Sequence, residues 1–230
     1  MKVHGSTAVV TGGQRGLGKA LVDELIKRGA FLVYATAREP AGSQHPRVIN
    51  VALDVTRAKS IAALAIRASE ANIVINNAGI SGGRPSPLNS DMRDVRRVFE
   101  TNYFGAVAVA RAFAPVLARN GGGALVNILS VMSWLAGKGA YGDSKAALWA
   151  ATNSLRLELA RQNTLVTGVH AGYIDTDMVR TLDVDKIAPA AAAATILDGL
   201  ENDQNEVLVD DFTREVKAAL SGPVERLKIR

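Results

Sequence analysis

The chain has 230 residues, 48% hydrophobic and 21% charged, a balance typical of a compact globular domain and not of a disordered chain. Its net charge of +5 suits an anionic ligand, but the basic residues are scattered among acidic ones, which argues against nucleic-acid binding. There are no cysteines, which excludes disulfides, and no apolar run of about 18 residues, the length that spans a membrane. We therefore predict a cytoplasmic protein with no nucleic-acid, membrane or metal partner.

Short apolar segments alternate with longer helical patterns from one end of the chain to the other. Predicted strands cover 6–11, 31–36, 48–51, 72–76, 124–129, 165–170 and 206–209. Predicted helices cover 17–28, 58–68, 91–119 (one long helix or two abutting ones, capped by Ser90), 141–161, 186–200 and a terminal segment. Strands this apolar, separated by helices, indicate a parallel sheet covered on both faces. We expect one doubly wound α/β domain of the Rossmann type over 1–230, with its ligand beyond the carboxyl ends of the strands.

A glycine-rich turn, TGGQRGLG at 11–18, lies where the first strand becomes the first helix. Glycines there let the backbone approach a pyrophosphate, whose charge is favoured by the exposed N–H groups of a helix start. The alternative is a tight turn that only packs the helix on the strand. The position directly after the first strand favours the dinucleotide interpretation.

Charge at the end of the second strand predicts which dinucleotide binds. An acid there would accept hydrogen bonds from the ribose diol of NAD, but the strand ends in Thr36 with Arg38 beyond it. Arg15 and Arg38 together suit the 2′-phosphate of NADP, whereas either alone could be a solvated surface residue. NADP(H) is therefore predicted over NAD(H).

Tyr141 and Lys145 are one helical turn apart on one face of the helix predicted over 141–161. A free tyrosine has a pKa of about 10, and a nearby ammonium would lower it enough for proton transfer to or from an alcohol. Ser130 follows the fifth strand, where its hydroxyl would reach a substrate oxygen. Asn102 starts an apolar helical stretch, where it either caps or kinks the helix or links Lys145 through water to solvent. The alternative for the Tyr-Lys pair is a chance surface pair.

These motifs, in this order, give the chain a resemblance to the short-chain dehydrogenase/reductase family over nearly its whole length. The matching segments are TGGQRGLG at 11–18, LDVT at 53–56, NNAG at 76–79, Asn102, Ser130, YGDSK at 141–145 and HAGYIDTDM at 170–178. The resemblance implies a catalytic tetrad of Asn102, Ser130, Tyr141 and Lys145. It implies cofactor contacts from Gly12, Gln14, Arg15, Gly16, Leu17, Gly18, Thr36, Arg38, Asp54, Val55, Asn77, Ala78, Gly79, Tyr141, Lys145, Gly172, Ile174 and Thr176.

The chain departs from the family pattern at several places. Ala171 replaces the usual proline before Gly172, and the interval from Ser130 to Tyr141 is short, which makes Ser133 an alternative for the serine role. Little sequence follows Thr176 before the next helix, so no large substrate lid is expected. The tail lacks the glycine-rich end of many members, which weakens the expectation of a tetramer.

The predicted function is the NADP(H)-dependent interconversion of a carbonyl and an alcohol, with Tyr141 as acid and base. Alternatives are an enoyl reductase, dehydratase or epimerase on the same frame, or a non-catalytic NADP(H) sensor. The predicted substrate contacts are Ser81, Ser130, Trp134, Tyr141, Tyr173 and Met178, with packing as the alternative for Trp134 and Met178. Relatives pair through the helices that start near Asn102 and Tyr141, so the expected partner besides the small-molecule substrate is a second copy, as a homodimer or possible homotetramer.

Overall fold

The computed structural model describes residues 1–43, 45–83 and 86–228, and within these a seven-stranded parallel sheet forms the centre. The strands are β1 (Thr7–Val10), β2 (Leu32–Ala37), β3 (Val48–Ala52), β4 (Ile73–Asn76), β5 (Gly123–Ile128), β6 (Thr164–His170) and β7 (Glu206–Leu208). Their order across the sheet is β3-β2-β1-β4-β5-β6-β7, and all neighbours run parallel. The prediction of a doubly wound Rossmann-type sheet is confirmed.

Helices cover both faces of the sheet. They are α1 (Gly16–Lys27), α2 (Ala58–Arg67), α3 (Met92–Phe99), α4 (Ala106–Arg119), α5 (Gly139–Leu159), α6 (Pro189–Glu201) and α7 (Asp211–Ala219). One apolar core lies between the sheet and α1 with α6, and a second between the sheet and α2 with α4. None of the helices in the described ranges has the length and hydropathy needed to cross a membrane.

The sheet reverses its direction of winding between β1 and β4. From β1 the chain moves outward to β2 and β3, then returns to β4 on the other side and continues to β7. The connections that leave β1 and β4 therefore diverge, and a crevice opens at their carboxyl ends. The glycine turn follows β1, and the NNAG segment follows β4.

The helical region predicted over 91–119 is neither one regular helix nor two abutting helices. A π-helical segment, Glu100–Gly105, connects α3 to α4 and contains the buried Asn102. The predicted cap was also wrong, because the Asp91 carboxylate accepts a hydrogen bond from the Arg93 amide and begins α3. The Ser90 hydroxyl instead donates to the Ser86 carbonyl.

Candidate active site

The glycine turn is fixed to the neighbouring strand β2. The Gly13 amide donates to the Thr36 carbonyl at 2.8 Å, and the Gly12 amide donates to the Thr36 hydroxyl at 3.3 Å. The Gln14 side chain also spans this gap, since its amide donates to the Ala35 carbonyl at 3.3 Å. Thr36 and Gln14, both predicted to contact the cofactor, thus position the turn that would hold it.

A second set of hydrogen bonds joins the turn to the end of β4. The Asn77 side-chain amide donates to the carbonyls of Thr11 and Gly12 at 2.9 and 3.2 Å. The Thr11 hydroxyl in turn accepts hydrogen bonds from the amides of Asn77 and Ala78 at 2.9 and 3.0 Å. The predicted cofactor residues after β1 and after β4 therefore meet at the crevice.

The start of α1 has the features of an anion site. Arg15 precedes the helix, but its side chain makes no capping hydrogen bond, so the amides of the first turn remain available to a ligand. A side chain on Gly16 would lie 3.2 Å from the Thr176 methyl group, which places Thr176 beside this turn, while Leu17 is buried in the core below. These backbone donors fit the pyrophosphate of a dinucleotide.

Gly18 is the position where this turn tolerates no side chain. A β-carbon there would lie 2.1 Å from the Gly12 carbonyl oxygen and 2.6 Å from the Asn77 amide nitrogen. We expect Gly18→Ala to lower the free energy of unfolding by about 2 kcal/mol or more, because backbone and not a flexible side chain must move. Urea unfolding measures this. The matched control is Gly42→Ala, where no atom lies within 4 Å of the added carbon; equal losses at the two positions would contradict the packing argument.

An open cleft of about 750 Å³ lies beyond the ends of β2 and β3, on the adenine side of the expected ligand. Asp54 lines this cleft, and hydrogen bonds from the hydroxyl and amide of Thr56 hold the pKa of the Asp54 carboxyl below its usual range. Val55 is buried, and it packs so closely against Gly105 that a β-carbon on Gly105 would lie 2.8 Å from a Val55 methyl group. Three further polar residues line the cleft and were not predicted from the sequence, although they follow the LDVT motif closely. They are Arg57, Lys59 and Ser60.

Exposed arginines border the same region. Arg38 lines the cleft, its charge contributes to the lowered pKa of Asp54, and Arg15 is exposed before α1. Neither arginine forms an ion pair with another residue in the described ranges. The Arg38 guanidinium therefore remains available to an anionic group in this cleft, and the Arg15 guanidinium to one beside the start of α1.

The predicted catalytic residues come together at the carboxyl end of β5. The Lys145 ammonium is buried, donates to the Ile128 carbonyl at 2.6 Å and lies 5.9 Å from the centre of the Tyr141 ring. The Ser130 hydroxyl interacts with the Tyr141 phenol and accepts a hydrogen bond from the Met132 amide at 3.1 Å. Gly79 borders the group, because a β-carbon there would lie 3.7 Å from the ammonium. Phenol, hydroxyl and ammonium thus share the crevice with the glycine turn.

Burial is the largest influence on the pKa values of Tyr141 and Lys145. Burial raises the pKa of the Tyr141 phenol, and the neighbouring Ser130 hydroxyl acts in the opposite direction. Burial also lowers the pKa of Lys145 to about 8. From the sequence we expected the Lys145 ammonium to lower the pKa of the phenol. In the structure the pKa of the phenol is raised instead, because its removal from water has the larger effect.

Asn102 is held firmly inside the π-helical segment. Its side-chain oxygen accepts a hydrogen bond from the Ile80 amide at 2.8 Å, and its amide donates to the Ile80 carbonyl and the Ser144 hydroxyl at 2.9 and 3.0 Å. The Ser144 hydroxyl donates to the Tyr141 carbonyl at 2.8 Å. Asn102 therefore connects the segment after β4 with the first turns of α5 and lies in a helix irregularity, as the kink considered from sequence would have it. The link from Lys145 through water to solvent stays a prediction.

The lowered pKa of Lys145 has a measurable consequence for stability. Below about pH 8 the folded protein must bury a cation, and as the pH rises from there toward 10.5 the folded chain loses this proton before the unfolded chain does. We expect the stability of wild type relative to Lys145→Met to increase by about 2 kcal/mol from about pH 7 to about pH 10. Urea unfolding of both proteins across this range is the measurement. A difference that stays constant with pH would show that the ammonium is not desolvated.

The predicted substrate contacts differ in accessibility. Ser81 and Met178 are exposed and Tyr173 is half-buried, but Trp134 lies inside an apolar cluster with Val131, Met132, Leu135 and Val216. Packing, the alternative considered for Trp134, describes its position. The hydroxyl of Ser133 is also buried and meets no partner in the described part of the chain, so the placement favours Ser130 for the serine role.

The segment after β6 completes the crevice. The Gly172 amide donates to the Asp210 carboxylate at 2.7 Å, and Ile174 pairs with Ile187 in an isolated parallel bridge. These contacts fix the backbone that carries Thr176 back toward the glycine turn. The C-terminal segment packs against the stretch that follows Ser130, a contact that sequence reasoning did not foresee: the Ala136 amide donates to the Leu227 carbonyl at 2.9 Å, and Ala136 pairs with Lys228.

Comparison with known proteins agrees with this architecture. A family model for short chain dehydrogenases matches residues 6–186, and the chain belongs to this family. A crystal structure of a short chain dehydrogenase from Burkholderia cenocepacia J2315, in complex with NADP, is 36% identical, with a TM-score of 0.92 over 99% of this chain and 97% of that one. The 1-deoxy-11-beta-hydroxypentalenate dehydrogenase of Streptomyces avermitilis is 35% identical over 79% of this chain and 73% of its own.

The fold itself occurs with either dinucleotide. A short chain dehydrogenase/reductase from Burkholderia phymatum, crystallised in complex with NAD, has a TM-score of 0.82 at 21% identity, over 94% of this chain and 93% of that one. At this identity the likeness concerns the fold alone. This chain is thus an oxidoreductase of a dinucleotide-binding family, and its choice between the two cofactors depends on its own residues.

Proposed function

We propose that the protein is an NADP(H)-dependent oxidoreductase that interconverts a ketone or aldehyde with an alcohol. The observation that carries the proposal is the meeting of Ser130, Tyr141 and Lys145 at the carboxyl end of β5, in the crevice that the glycine turn borders. These groups supply what carbonyl reduction requires of a protein: hydrogen-bond donors for an oxygen that becomes an alkoxide, and an acid to protonate it.

Each residue has a separate task in this mechanism. When bound, a nicotinamide would supply or accept the hydride. The Tyr141 phenol holds the proton that the substrate oxygen receives, or accepts it in the reverse reaction. Ser130, whose hydroxyl lies beside the phenol, orients the carbonyl oxygen toward that proton. The pKa of Lys145 is about 8, so its side chain is mainly protonated at pH 7 and mainly neutral above pH 8. Small changes in its surroundings therefore alter the charge beside the phenol.

Residues of the adenine-side cleft support the preference for NADP(H). No acid stands at the end of β2, where Thr36 is instead occupied with the amide of Gly12. Arg38 lines this cleft, Arg15 is exposed before α1, and Arg57 and Lys59 add positive charge to the cleft. A 2′-phosphate would meet several cations here, whereas a ribose diol would meet no carboxylate at the end of β2.

A substrate panel tests the proposal. Purified protein is mixed with NADPH and with ketones, aldehydes, quinones or enones, while absorbance at about 340 nm and product identity are recorded. Reduction of ketones or aldehydes to alcohols is the expected result. Turnover of enones alone would indicate an enoyl reductase, and NADPH binding without any turnover would favour a sensor.

A homodimer is proposed as the assembled form. The helices expected to pair, from Asn102 onward and α5, carry exposed apolar side chains at Phe104 and Leu157. Light scattering should report twice the mass of one chain, and a single-chain mass would overturn this proposal. The cytoplasmic location stays a prediction.

A further inference from the structure

A buried histidine contacts the backbone of the serine in the active site. His170 is the last residue of β6, it is fully buried, and its Nδ1 lies 3.0 Å from the carbonyl oxygen of Ser130. A carbonyl only accepts hydrogen bonds, so Nδ1 must carry the proton. The other ring nitrogen, Nε2, is buried and has no hydrogen-bond partner in the described part of the chain, with the Glu206 carboxylate at 3.8 Å.

The peptide group that follows Ser130 is held at both ends. His170 donates to its carbonyl, and its amide, that of Val131, donates to the Ala171 carbonyl at 2.9 Å. Both partners come from consecutive residues at the end of β6. The backbone direction at Ser130, and with it the direction of the hydroxyl, is therefore set by the neighbouring strand.

The imidazole has little freedom to leave this position. Its ring stacks on Trp134 at 3.8 Å with an interplanar angle of 18°, and Trp149 approaches edge-on at 6.3 Å. The Lys217 ammonium lies 5.0 Å from the Trp134 ring on this cluster, and it pairs with Glu206 at 2.8 Å. Burial lowers the pKa of His170 to about 4, so the ring is neutral at neutral pH.

We propose that His170 is a positioning residue, which donates from Nδ1 to the Ser130 carbonyl and thereby aims the Ser130 hydroxyl at the substrate oxygen. The inference rests on the proposed function for its kinetic consequence, but the hydrogen bond itself does not depend on it. Because any buried imidazole needs an acceptor for its N–H, the experiments below separate positioning from packing.

A double-mutant cycle separates positioning from packing. His170→Leu removes the donor, and we expect kcat to fall about tenfold with little change in the dissociation constant of NADPH. His170→Asn places an amide donor near the position of Nδ1 and should recover most of this loss. In a Ser130→Ala background, His170→Leu should have no further effect on kcat, because the hydroxyl that it aims is gone. Additive losses would overturn the proposal.

Val216→Ala is the matched control for packing. Val216 lies in the apolar cluster with Trp134, and its truncation loosens the surroundings of His170 without touching the hydrogen bond. We expect a loss of stability comparable to that of His170→Leu but an unchanged kcat. A similar fall in kcat for both variants would assign His170 a purely structural role.

The tautomer is measured without any substrate. The chain has three histidines, His4, His45 and His170, so ¹⁵N-histidine labelling with His170→Leu for assignment isolates the signal. Long-range ¹H–¹⁵N spectra should show His170 protonated at Nδ1 and neutral down to about pH 5. Protonation at Nε2, or titration near the ordinary histidine pKa, would refute the positioning bond, even if no carbonyl were turned over. The expected tautomer in a protein that turns over no carbonyl would instead refute only the proposed function.

Discussion

Replacing Tyr141 by Phe is expected to lower kcat for carbonyl reduction by about 10²–10⁴-fold, the range that loss of general acid catalysis produces. The phenylalanine ring keeps the packing of Tyr141 against the apolar cluster around Trp134 but removes the phenol proposed to give its proton to the substrate oxygen. Steady-state rates with the best substrate of the panel measure the effect.

Cofactor affinity is the control for this variant. The glycine turn and the cleft near Asp54 do not involve the phenol, so fluorescence titration should give a dissociation constant for NADPH within about threefold of wild type. Retained turnover would remove Tyr141 from the mechanism. Loss of NADPH binding in a folded variant would instead mean that the substitution disturbs the crevice.

The double variant Arg15→Ala, Arg38→Ala should weaken NADPH binding by about a hundredfold while changing NADH binding less than about threefold, because charge-assisted bonds contribute about 1.5–3 kcal/mol each. Both side chains are exposed and neither forms an ion pair in the described ranges, so their removal leaves no buried charge without a partner. Calorimetric titration with each dinucleotide gives the two constants directly.

A second double variant controls for the loss of net positive charge. Arg67 and Arg119 are exposed at the ends of α2 and α4, just before β4 and β5, at the amino edge of the sheet and away from the crevice. Arg67→Ala with Arg119→Ala removes the same charge and should leave both dissociation constants nearly unchanged. Equal weakening of NADPH and NADH in the first variant would contradict the proposed phosphate contact.

The sequence predicted the sheet well because strand burial leaves a direct signal. Each of the seven strands appears within one residue of its predicted ends, since apolar β-branched runs such as 73–76 have few other uses. It also predicted which residues share the crevice, because the carboxyl ends of parallel strands meet at one edge. The order of the motifs along the chain was enough to predict that Ser130, Tyr141 and Lys145 lie close together.

Other features depend on contacts distant in the chain. The π-helical segment, the stacking of His170 on Trp134 and the pairing of Ala136 with Lys228 join residues whose partners no local pattern reveals. Trp134 shows the difficulty: its position after Ser130 suggested the pocket, but neighbours from β6 and α7 surround it. Burial likewise decides the pKa values of Tyr141 and Lys145, and burial is a property of the packed molecule.

The π-helical segment Glu100–Gly105 makes this region sensitive to chain length in a way the rest of α4 is not. A π turn accommodates one residue more than an α turn, so losing one codon here would restore a regular helix instead of breaking one. The flanking helices α3 and α4 would then keep the faces with which they pack, but side chains inside the segment, Asn102 among them, would change direction and lose their hydrogen bonds with Ile80 and Ser144. Single-residue deletions in this stretch should therefore yield folded chains without a working crevice, and natural length variation among relatives is expected to avoid it.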